Sequence, residues 1–99
     1  MTGIHVYLEN GFDHDRVVLV AGEDHHTDPD VTTRHQVGLA TVVELDVPPD
    51  TEAILQVAVP ERGLSAEVGV DPAATPHVRV NVTDGSLDVL PQAAPPMFA

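Results

Sequence analysis

Six histidines stand among sixteen carboxylates in a chain of 99 residues, and any chemistry would have to start from them. The densest group is Glu23-Asp24-His25-His26-Thr27-Asp28-Pro29-Asp30, with His35 shortly after it. Imidazole and carboxylate together suit zinc, nickel, copper or iron. On an extended strand His25 and His26 would point to opposite faces. A loop curled at Asp28-Pro29 would instead gather His26, Asp28 and His35. A divalent transition-metal site built from His25, His26, Asp28, Asp30 and His35 is thus the one cofactor the sequence suggests. The competing and simpler reading is a solvated acidic loop in a protein without a cofactor.

The other polar groupings carry less. Asp13-His14-Asp15 offers hard oxygens, but it lacks the ligand spacing and closing glutamate of a twelve-residue calcium loop. His5 and Tyr7 share one strand face, and His77 lies beside Arg79 on another. Outward groups of this kind read as cross-strand surface ladders rather than ligands. His25-His26 does not fit the spaced histidines and following glutamate of a cupin-type metal site. No cysteine is present, which removes disulfides and thiolate sites. Neither Ser65 nor Ser86 sits in a Gly-x-Ser-x-Gly turn, and no glycine-rich phosphate loop occurs. The expectation is a protein that is not an enzyme.

The elements that must position these residues are strands. Apolar positions alternate with polar ones from Thr41 to Val47, from Glu52 to Val59 and from Leu64 to Val70, and valine, which favours the pleated sheet, dominates them. Pro48-Pro49-Asp50 and Pro60-Glu61-Arg62-Gly63 break these runs. Folding them as successive hairpins sets Val47 opposite Ala53, Leu45 opposite Leu55, Val59 opposite Leu64 and Leu55 opposite Val68, with every apolar stripe on one face. A further hairpin closes on Asp84-Gly85, a favoured two-residue type I′ turn, pairing Thr83 with Ser86 and Val80 with Val89. The stretch from Asp71 to Pro76 is long enough to cross between sheets. Nearer the N-terminus, Ile4 to Leu8 reads as a strand. Arg16 to Ala21 reads as a central strand buried on both faces, and Val31 to Val37 as a short edge strand. No helical stripe extends over ten residues.

The fold expected is all-β: an antiparallel β-sandwich of about seven to eight short strands, spaced at roughly 8–12 residues. In this general pattern the whole chain resembles β-sandwich modules of immunoglobulin or transthyretin type. Residues 1–90 make one domain. Residues 91–99 form a proline-rich apolar tail whose Met97 and Phe98 would dock on the domain or on a partner.

Charge limits the partners. Sixteen carboxylates oppose four arginines and no lysine, giving a net charge of −12. Such a surface repels phosphate backbones and anionic lipid, so neither nucleic acid nor a membrane is expected as a partner. Dense carboxylates are also tolerated well at high salt, where screening weakens their repulsion. Without a basic, apolar leader or a stretch of about 18 apolar residues, a cytoplasmic location is expected. These features point to a non-catalytic structural or interaction module that self-associates or serves as an accessory subunit, with the metal-binding module as the alternative.

Overall fold

The computed structural model describes residues 2–34, 39–48 and 52–95. Eight strands account for most of them: β1 (Thr2–Leu8), β2 (Asp15–Ala21), β3 (Asp24–Val31), β4 (Thr41–Val47), β5 (Ala53–Val59), β6 (Leu64–Val70), β7 (His77–Thr83) and β8 (Ser86–Gln92). A single 3-10 turn, Pro60–Arg62, joins β5 to β6. The strands form two four-stranded sheets, ordered β4-β1-β7-β8 and β3-β2-β5-β6.

The alternation of the sequence decides which face each strand buries. Ile4, Val6 and Leu8 of β1, Val17, Leu19 and Ala21 of β2, and Leu55, Val57 and Val59 of β5 are buried between the sheets. Val43, Leu45 and Val47 of β4 and Val78 and Val80 of β7 complete the facing layer. Among the described residues Phe12 is the one aromatic ring in this otherwise aliphatic core. Burying such side chains contributes about 1.5–3 kcal/mol each before the entropy of ordering them is subtracted.

Two hairpins have the register expected from their turns. β5 and β6 pair Val59 with Leu64, Val57 with Ala66 and Leu55 with Val68. β7 and β8 pair Thr83 with Ser86 and Val80 with Val89. Asp84 and Gly85 both take positive φ, at 51° and 77°, as a type I′ turn requires. The segment after β6 does cross from one sheet to the other.

The structure departs from the expected arrangement at several points. The hairpin between Thr41–Val47 and Glu52–Val59 does not form: β4 pairs with β1, β5 pairs with β2, and the two lie in different sheets. The buried stripe specifies which face is inward, and a strand in the opposite sheet satisfies it as well as a neighbour does. The polar stretch after Gly22 is strand β3, paired antiparallel to β2, rather than a loop. An edge strand exposed on both faces needs only its backbone ladder, so hydropathy does not reveal it. Residues 35–38 of the edge strand expected from Val31 to Val37 lie outside the described residues, and the described part ends with an isolated bridge, Arg34 to Leu39. Lastly, β2 is central but alternates, with Arg16 exposed and Val18 and Val20 half-buried.

The antiparallel pattern also has one exception among the described residues, since β1 and β7 run parallel. Strand β8 includes Pro91 and Gln92, so the sandwich reaches past residue 90. Proline is accommodated there because β8 is an edge strand with one side free of ladder bonds.

Candidate functional site

The polar residues that the fold concentrates lie on the outer face of the β4-β1-β7-β8 sheet. Because Ile4, Val6 and Leu8 turn inward, His5, Tyr7 and Glu9 turn outward. On β7 the inward Val78 and Val80 leave His77, Arg79 and Asn81 outward by the same rule. The parallel register then sets His5 beside His77 and Tyr7 beside Arg79. On the flanks, Glu44 of β4 lies opposite His5, and Gln92 of β8 lies opposite His77. The row through Tyr7 and Arg79 ends in Val42 and Leu90, which are 45% and 56% exposed.

The imidazoles make specific contacts. His5 Nδ1 lies 3.3 Å from Glu44 Oε2. His77 Nδ1 lies 2.9 Å from the Tyr7 hydroxyl. The two rings are nearly parallel, 17° apart, with their centres separated by 5.2 Å. Loss of hydration lowers the His77 pKa, and the neighbouring His5 lowers it further. Burial pushes the Tyr7 phenol up from its ordinary value.

One step along the sheet, Glu9 is 1% exposed and fully engaged. Arg79 Nε donates to Oε2 at 2.7 Å, Arg79 Nη2 to Oε1 at 2.9 Å, and Asn81 Nδ2 to Oε1 at 3.1 Å. The hydrogen bonds to Glu9 raise the Arg79 pKa, with burial opposing and the charge of Glu9 adding to the rise. Asp15 is held in the same manner: Arg62 Nε and Nη2 each donate to it at 2.8 Å, and the Asp13 backbone N–H donates at 2.8 Å. Both buried acids are therefore structural ties between distant segments. No buried side-chain nitrogen or oxygen among the described residues lacks a hydrogen-bond partner.

The expected metal ligands are not brought together among the described residues. His25 pairs with Val20 and His26 with Leu19 on β3, so they point to opposite faces. Asp28 accepts the Asp30 backbone N–H at 3.2 Å, and Asp30 is engaged by His14 Nδ1 at 3.0 Å. A bulge between the Asp15 and Val17 positions shifts the alternation near Pro29-Asp30. His35 and the docking residues Met97 and Phe98 lie outside the described residues. Among the described residues no three histidine, aspartate or glutamate side chains converge as a metal site would require. Ser65 and Ser86 occupy regular exposed strand positions.

What the sequence missed is the meeting of His5 with His77. Each strand face was legible by itself, but the residues are far apart in the chain and only the β1–β7 pairing joins them. No helix among the described residues is long and apolar enough to cross a membrane. Comparison of the chain with protein-family models, with curated proteins and with solved structures gave no match in any of the three.

Proposed function

We propose that the chain is a small non-catalytic interaction module that self-associates or serves as an accessory subunit by adding a strand at an open sheet edge. The observation that carries this reading is the character of β6. It lies at the edge of its sheet, pairs with β5 over its full length without a bulge, and bears a single carboxylate, Glu67. The other edges carry features that oppose pairing. β3 has a bulge, Pro29, two histidines and three aspartates. β8 contains Pro91, and β4 carries Glu44 and Asp46. Saturation of Glu9 and Asp15 by arginine supports the non-catalytic part, because neither is left to act as an acid or base.

Within the same reading the sandwich is of transthyretin rather than immunoglobulin type. Its first two strands lie in opposite sheets, whereas an immunoglobulin constant-type sandwich keeps them in one. The partner is a protein or a second copy, met in the cytoplasm. A charge of −12 favours neither nucleic acid nor anionic lipid. The apolar composition of the tail, with Met97 and Phe98, supports the same reading.

Native mass spectrometry of the full chain tests this. A multimer is expected for the unaltered protein. Ala66→Lys, which sets an inward-pointing charge on the β6 edge, and deletion of residues 95–99 should each shift it toward monomer. An unaltered chain that stays monomeric at high concentration sinks self-association. A multimer indifferent to Ala66→Lys removes β6 from the argument.

A further inference from the structure

We propose that His5 and His77 form a two-histidine binding site for a divalent transition-metal ion, copper(II) foremost, on the outer face of the β4-β1-β7-β8 sheet. The site uses none of the residues that the β3 metal reading would need, and it stands apart from the association role.

The backbone supplies the first condition. His5 and His77 are directly opposed on neighbouring parallel strands and project from the same face. They are fixed there because the residues following them, Val6 and Val78, are locked into the core. Bonds of about 2.0–2.1 Å from a metal to each imidazole nitrogen put two ring centres that share an ion roughly 5 Å apart. The ring centres here are 5.2 Å apart before any ion is added. A turn about the Cβ–Cγ bond, a broad torsion for histidine, lets the two free lone pairs converge above the sheet.

The contacts of the two rings supply the second condition. His77 Nδ1 is hydrogen-bonded to the Tyr7 hydroxyl at 2.9 Å and His5 Nδ1 lies 3.3 Å from the Glu44 carboxylate, so Nε2 is the nitrogen each ring would offer a ligand. In the tautomer that carries its proton on Nδ1, toward Glu44 in one ring and the Tyr7 oxygen in the other, Nε2 keeps its lone pair for a metal.

Electrostatics supplies the third. Arg79, the next outward residue on β7, is turned to Glu9 by two hydrogen bonds. The face otherwise presents Glu44, Tyr7 and Gln92 around the pair. A protein of net charge −12 concentrates cations at its surface. With two nitrogen ligands and water completing the shell, copper(II) binds ahead of nickel and zinc in the usual divalent order.

Copper(II) titration of the full chain at pH 7.4, followed by electron paramagnetic resonance, is the test. One equivalent with two-nitrogen hyperfine structure is expected, and lowering the pH to 5 should release it. His5→Gln and His77→Gln should each weaken binding roughly tenfold or more and leave one nitrogen. The double variant His25→Ala/His26→Ala should bind as the unaltered chain does. Circular dichroism confirms that each variant is folded, with His5→Ala and His77→Ala as substitutes for a glutamine variant that is not. Binding unchanged in folded His77 variants, loss of the signal in the His25/His26 variant, or several equal weak sites would each overturn the proposal.

Discussion

At the scale of residues, arginine decides whether the buried carboxylates stabilise the fold. Glu9 is 1% exposed, and both its oxygens depend on Arg79 and Asn81. Arg79→Met should leave that group without its charge partner and cost roughly 2–3 kcal/mol in urea denaturation. This falls short of the 3–5 kcal/mol for fully buried pairs because the Arg79 side chain is itself 39% exposed. A loss below about 0.5 kcal/mol, the size expected of a surface pair, would show that the tie is not structural. His77 adds a pH dependence of the opposite origin. Its folded pKa lies below the ordinary 6.5, so as pH falls the unfolded chain takes up this proton first. The stability it contributes is full above the unfolded value and is lost as pH falls through the lowered folded value. Melting temperature should accordingly drop on acidification from pH 7.5 to 5.5, and the drop should be smaller in His77→Gln. Equal slopes for the two proteins would refute the assignment.

At the scale of elements, turns dictate which pairings are readable. Asp84-Gly85 has only two central residues, so β7 and β8 must be neighbours and their register follows. Pro60–Arg62 with Gly63 in the left-handed region at φ 67° does the same for β5 and β6. Two glycines separate conformational from steric demands. Gly85 at φ 77° has nothing within 4 Å of a built Cβ, so Gly85→Ala should cost only about 1–2 kcal/mol. A Cβ on Gly11, at φ 91°, would collide with the Val82 carbonyl oxygen, where the chain after β1 runs beside β7. Gly11→Ala should therefore cost more, about 3 kcal/mol or above, because steric displacement adds to the same strain. Chemical denaturation of the two variants checks the order, and equal losses would contradict it.

At the scale of the whole molecule, charge opposes compaction. A net −12 is carried on a body of 35 × 29 × 20 Å whose core is almost wholly aliphatic. Repulsion among surface carboxylates is screened as the Debye length falls from about 10 Å at 0.1 M salt to about 3 Å at 1 M. Sodium chloride at 1 M should raise the melting temperature by roughly 5 °C over 0.1 M, about the shift that 1 kcal/mol gives a domain of this size. A flat response would show that repulsion among the surface carboxylates does not limit the stability of the fold.

The sequence by itself determined the strand class, the inward face of most strands and the hairpins closed by short turns. Those features depend on side-chain alternation and on turn residues that act within a few positions. Tertiary structure alone decided that β4 leaves β5 for the other sheet, that the polar Asp24–Val31 segment is an edge strand, and that β1 runs parallel to β7. An inward stripe is satisfied by any partner that covers it, and an edge strand needs backbone hydrogen bonds rather than apolar side chains. The meeting of His5 and His77 belongs to this second class, since it exists only where two strands distant in sequence share a ladder.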